Sequence, residues 1–159
     1  MKNPIDNFWK LKLEAVKESL ESNNFEVFIA DTAAHASKIV LENIIPALNI
    51  KSISWGGSVT FVGTGLYDTL KDNKDFKVLD TYDKSLSNDE KTKLRRKALL
   101  TDLFITGTNA ITQDGCLVNL DMIGNRVGAL TFGVDCRGLI PRICQVILPA
   151  QDRGRARQL

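Results

Sequence analysis

Apolar residues first recur at helical spacing, at Ile5, Phe8, Trp9, Leu13, Val16 and Leu20. With Asn3 as N-cap and Pro4 in the first turn, they predict a helix to about residue 21 whose stripe should lie on something apolar. After Asn23-Asn24 the run FEVFIA (25–30) predicts a strand, and Asp31 or Thr32 caps a second helix from Ala33 to about Ile45, ended by Pro46. SISW (52–55) reads as a strand halted by Gly56-Gly57, followed by a third helix from about Ser58 to Leu70 and a strand over FKVLD (76–80). Ser87 and Glu90 supply the S-x-x-E capping pattern for a helix over KTKLRRKALL (91–100), with Lys93, Arg95, Arg96 and Lys97 as its solvated face. LFIT (103–106) is a buried strand. This alternation predicts an α/β fold, with a mainly parallel sheet flanked by helices on both faces.

Ligands of such sheets collect where loops leave the carboxyl ends of strands, and two loops sit there. The first is SWGGSVT (54–60), whose Gly56 and Gly57 allow a sharp turn and leave amides exposed for a phosphate or carboxylate. Ser58 and Thr60 add hydroxyls, although Ser58 reads equally well as a plain helix cap. The second loop starts at Gly107, Thr108 and Asn109; Asp114-Gly115 then marks a tight turn between ITQ and CLVN. The short hairpin or β-arch expected there delivers Asn119 and Asp121. Beyond it Gly124, Asn125 and Arg126 open another apolar stretch, with Asn125 as a helix cap and Arg126 extending its fork toward an anion. Taken singly, each of these residues is most simply a turn, a backbone partner or a surface charge; their convergence on one sheet edge is what gives them a functional meaning. His35 could titrate near neutrality, but with no partner in reach it reads as a residue of the helix surface or packing.

Composition narrows the class. A chain of 159 residues can bury about two thirds of its unfolded surface in one core, and 43% hydrophobic with 25% charged residues places it among globular proteins. No apolar run approaches the roughly 18–20 residues that cross a bilayer, and the charged opening is unlike a leader, so a cytoplasmic protein without membrane contact is expected. Three cysteines without a CxxC pair and one histidine offer no zinc or iron–sulfur ligand set, so no cofactor is expected on this chain, only an anionic or phosphorylated ligand. Charge is uneven: residues 1–133 hold 13 Lys, 3 Arg and 17 acids (−1), while 134–159 hold 5 Arg and 2 acids (+3). That tail has no aromatic residue, which argues against nucleic-acid binding.

The string TGTNAITQDGCLVNLDMIGNRVGALTFG (106–133) closely resembles the signature of LUD domains, the family of lactate utilisation protein C. SWGGSVT, RRKALLTDLFITGT and the opening NPIDNFWKLKLEAV resemble the family too, so the likeness spans about residues 3–133. The resemblance implies the fold of the ribose-5-phosphate isomerase and CoA-transferase-like superfamily. It also implies a part in oxidising L-lactate to pyruvate beside iron–sulfur partner proteins. It marks Gly56, Gly57, Ser58, Gly107, Thr108, Asn109, Asp114, Asn119, Gly124, Asn125 and Arg126 as a ligand edge, and supplies no catalytic residue. Two other readings stand beside it: an independent enzyme or binding protein for a sugar phosphate, nucleotide or CoA-type ligand, and a non-catalytic truncated domain. A homo-oligomer stays open.

After residue 133 the resemblance stops. A family member usually continues with proline and a Val/Ile-rich strand that returns to the sheet, whereas here the text becomes VDCRGLIPRICQVILPAQDRGRARQL, and all 13 Lys and all 11 Asn lie before it. Residues 1–133 are therefore read as the LUD-type domain and 134–159 as an atypical Arg-rich tail foreign to the family, in which ICQVIL (143–148) could still pair as a strand.

Overall fold

SISW and LFIT are apolar enough to be covered on both faces, and they form the two central strands of a parallel sheet. In the computed structural model, which describes residues 4–132 and the backbone of 143–145, β1 (Ser52–Trp55) lies between β2 (Lys77–Leu79) and β3 (Leu103–Thr106). β6 (Ile143–Gln145) completes the order β2-β1-β3-β6, every pair parallel, with Ile53 opposite both Val78 and Leu103, and Phe104 opposite Ile143. Asp102 locks the start of the sheet: its Oδ2 accepts from the Lys51 and Ser52 amides and the Ser52 hydroxyl at 2.8–2.9 Å. Burial works against its ionisation, but these donors outweigh it and hold the carboxyl below its ordinary value.

Side chains alternate across the sheet. Ile53, Trp55, Leu103 and Ile105 share one core with Ala36, Val40, Phe61, Leu66 and Leu70, while Phe104 packs on the other face with Ala98 and Ala129. Helices therefore cover both faces, as the alternation of elements predicts. The first face is covered by α2 (Ala33–Ile39), α4 (Val59–Gly63) and α5 (Leu66–Leu70), the second by α6 (Asn88–Ala98) and α7 (Asn125–Thr131). The Ser87–Glu90 capping box forms as the sequence predicts. β4 (Ala110–Ile111) and β5 (Leu117–Val118) pair antiparallel, so of the two arrangements expected the hairpin is the one that forms.

Four expectations are corrected. FEVFIA is not a strand: α1 (Pro4–Ser22) ends with Asn24 in the left-handed region (φ 65°), and the Phe25 amide closes back onto the Leu20 carbonyl at 3.1 Å, so the run begins as a helix terminus rather than a ladder. The second helix does not stop before Pro46. It widens into a π-helical stretch (Val40–Ile44) and continues as α3 (Ile45–Ala47), because the wider turn makes room for the proline ring and its missing N–H. The third helix is broken where Gly65 turns left-handed (φ 79°) and the Thr64 hydroxyl donates to the Phe61 carbonyl. The first half of the α1 stripe is also uncovered among the described residues, while Leu13 and Val16 are half-buried. Only Leu20 is buried, while Phe8 and Trp9 keep half or more of their surface and α1 is held at its end, where Asn23 donates to the carbonyls of Asp114 and Gly115. Pro4 does open α1; the Asn3 cap and residues 134–159 other than the β6 backbone lie outside the described residues.

Candidate functional site

At the carboxyl ends of β1, β2 and β3 the chain leaves the sheet in three loops that enclose a cleft of about 470 Å³. After β1, the Gly56 amide still bonds the Ile105 carbonyl at 2.9 Å, extending the ladder, and the chain then turns through Gly57 into α4. Ser58 caps that helix, its hydroxyl accepting from the Phe61 amide at 3.1 Å. Tyr82, in the loop after β2, clasps this turn: its hydroxyl donates to the Gly56 carbonyl (2.7 Å) and accepts from the Ser58 amide (2.9 Å). Asp80 positions that loop, taking hydrogen bonds from the Trp55 indole, the Tyr67 hydroxyl and the Tyr82 amide. Burial above all raises the Tyr82 phenol above its ordinary value, with Asp80 adding to the rise and the Ser58 amide and Arg126 opposing it; the hydroxyl stays a neutral donor.

The loop after β3 builds the opposite wall. Gly107 has no room for a side chain, since a Cβ there would stand 2.5 Å from the Ser58 hydroxyl; at Gly56 it would stand 2.5 Å from Cγ of Arg126. These two close approaches bring the loops together. Asn109 accepts from the Leu120 amide (2.9 Å) across the base of the hairpin. Arg126 is bound to the same frame: Nη1 donates to the Gly107 carbonyl (3.3 Å), and Nη2 to the Leu120 carbonyl (2.6 Å) and the Asn109 side chain (3.3 Å). Asp121 holds the start of α7, accepting from the amides of Arg126 (2.8 Å), Val127 (3.1 Å) and Ile123 (3.2 Å). Burial opposes its charge, but the backbone donors prevail and lower its pKa.

The structure thus gathers most of the expected ligand edge. Gly57, Ser58, Gly107, Thr108, Asn109, Asn125 and Arg126 line the cleft, and Gly56 lies beneath the Arg126 stem. Gly124 is the left-handed residue preceding α7 (φ 83°), so the cap falls on Gly124 and Asp121 rather than on Asn125. Asp114 and Asn119 are off the cleft: Asp114 stands in the hairpin turn against the end of α1, and the Asn119 Oδ1 is buried without a partner among the described residues. His35 lies exposed on α2, its Nδ1 accepting from the Asp31 amide at 3.4 Å.

Sequence reasoning missed Thr81, Tyr82 and Arg95, all of which line the cleft. The first two follow a strand as directly as the glycine loops do, so the rule of strand ends could have found them. Arg95, expected on the solvated face of its helix with Lys93, Arg96 and Lys97, is instead half-buried in the cleft, and its only sequence signal is fainter, a basic residue with no acid within four positions on its helix. At the rim, Val59, Leu120 and Met122 are each more than 80% exposed, so the polar walls open through an apolar mouth. The lining holds two guanidinium groups and one carboxylate, an excess of positive charge suited to an anion.

Among the described residues no helix is long and apolar enough to cross a membrane, and no group of three or more His, Cys, Asp or Glu is gathered. Comparison with curated proteins and with solved structures returns no match. The family model of the LUD domain matches residues 13–140, most of the chain and seven residues beyond the point where the signature string ends. The chain therefore belongs to the LUD domain family, which is associated with lactate utilisation proteins.

Proposed function

We propose that this protein is a component of a system that oxidises L-lactate to pyruvate together with iron–sulfur proteins. In that reaction the C2 carbon loses its hydrogen and the hydroxyl its proton, a ketone forms, and two electrons pass to the iron–sulfur partners, which act as the oxidant. The role of this chain is to hold the carboxylate of substrate or product in the cleft above β1 and β3. The observation that carries the reading is the LUD match over residues 13–140; the excess of guanidinium over carboxylate in the cleft supports it. Deleting the gene from the source cell should abolish growth on L-lactate, and the full chain supplied in trans should restore it. A tagged full chain should also capture iron–sulfur proteins, and a second capture without residues 134–159 tests whether the tail contributes. Undiminished growth of the deletion strain together with no iron–sulfur protein on the tagged chain would sink the proposal.

One observation favours a second reading. About 470 Å³ and an exposed rim of Val59, Leu120 and Met122 exceed what a three-carbon acid fills, and they suit a phosphorylated sugar, nucleotide or CoA-type ligand. Melting curves with coenzyme A, AMP and ribose 5-phosphate, each set against L-lactate, separate the two: a rise in Tm confined to the larger ligands favours the second.

A further inference from the structure

We propose that Arg95 is the side chain that receives the anionic group of the cleft's ligand, a carboxylate or phosphate, and that Arg126, the arginine of the family signature, is a structural strut. This assignment rests on reading the cleft as an anion site and names the residue that makes it one.

Arg126 is already committed. Its guanidinium donates to the Gly107 and Leu120 carbonyls and to Asn109, and its stem crosses Gly56 with no space beneath it. Turning the fork toward a ligand would unpin the hairpin from the loop after β3. Asp121, the carboxylate among the lining residues, is likewise consumed, by three backbone amides. Arg95 lines the same cleft from α6, half-buried, and among the described residues it makes no hydrogen bond or ion pair. Its own helix cannot neutralise it: residues 91–99 contain no acid, and Lys91 stands one turn before it as a like charge. An anion in the cleft relieves that repulsion, and the planar fork of a free guanidinium matches the two oxygens of a carboxylate or phosphate. Thr60 also lines the cleft, while the Thr108 hydroxyl is already spent on the Val118 carbonyl (3.0 Å), which leaves Arg95 as the free cation among the described lining residues.

The test is amide chemical-shift titration of the full-length protein with L-lactate, pyruvate and inorganic phosphate, each against wild type, Arg95→Gln and Arg95→Lys. At least one anion should shift the amides of residues 57–60 and 107–109 saturably. Arg95→Gln should weaken it about tenfold or more, and Arg95→Lys, which keeps the charge and loses the fork, should recover part of the loss. An independent measure avoids mutation: phenylglyoxal should modify Arg95 of the wild type readily and Arg126 slowly, with Arg95 protected by the bound anion. Phosphate binding through Arg95 without L-lactate or pyruvate binding upholds this assignment and removes the lactate carboxylate from the cleft. L-lactate or pyruvate binding within about twofold of wild type in Arg95→Gln upholds the lactate reading and overturns the assignment. No saturable shift with any of the three anions in the wild type also overturns it.

Discussion

At the scale of single residues, the cleft depends on two contacts that only glycine permits. Gly107 lets the Ser58 hydroxyl approach its backbone, and that hydroxyl is already fixed as the cap of α4, so it cannot move aside without releasing the Phe61 amide. Gly107→Ala should therefore cost about 1–3 kcal/mol, read as a fall in the urea midpoint at unchanged slope. Gly57 is exposed and has open space where a methyl group would point, so it should accept alanine with little change, which makes it the matched control. Arg126→Gln removes donors from two carbonyls and from Asn109; a hydrogen bond to a charged group is worth about 1.5–3 kcal/mol, but two of these three are solvent-exposed and glutamine keeps a donor, so a loss of about 1–2 kcal/mol is expected. Near-wild-type stability of Arg126→Gln would show that the hairpin stands without its strut.

Among the elements, α7 and the hairpin are joined through Asp121, and the joint is sensitive to acid. A carboxyl whose folded pKa lies below its ordinary 3.8 binds its proton less readily when folded than when unfolded. The stability it contributes is complete at neutral pH and is lost as the pH falls below about 4. The sign is the same for Asp102 at the start of the sheet. Asp121→Asn should lower Tm at pH 7 and flatten the fall in Tm between about pH 5 and 3 roughly in proportion; an unchanged acid slope would remove Asp121 from the account. These elements differ in how legible they are from the sequence. β1 and β3 are plain, because short runs of sheltered positions bounded by turn signals fit little else in a parallel sheet, and the glycine loops follow from where those strands end. FEVFIA misleads because β-branched and aromatic residues report a fit to a pleated surface, whereas the Phe25 amide is claimed by the end of α1. Pro46 misleads because a π-helical widening leaves no mark on the hydrophobic period. Arg95 reaches the cleft only through packing of α6 onto the sheet, whereas Tyr82 stands where the rule of strand ends points, and Asp121 takes over the capping role expected of Asn125, because Gly124 turns left-handed just before the helix.

For the molecule as a whole, the arrangement of the sheet bears on the chain beyond residue 133. β3 is buried along its whole length and carries the loop that begins at Gly107, yet the described strand on its outer side is β6, from the Arg-rich segment. The Phe104–Ile143 and Thr106–Gln145 pairs place β6 along the very part of β3 that leads into the cleft. The family match likewise runs past the signature string to residue 140. A tail of unusual composition thus still supplies a strand to the sheet, as ICQVIL allows. If β6 were removed, the N–H and C=O groups along one side of β3 would face solvent, and an edge of that kind pairs with other copies of itself. A chain ending at residue 133 should show a lower Tm and concentration-dependent association by size exclusion, with broadened amide signals at residues 103–109, while one ending at residue 148 should stay close to the full chain. Equal monomer content and equal melting for the two shortened chains would mean that β3 is protected by something other than β6, and that the loop after it owes nothing to the tail.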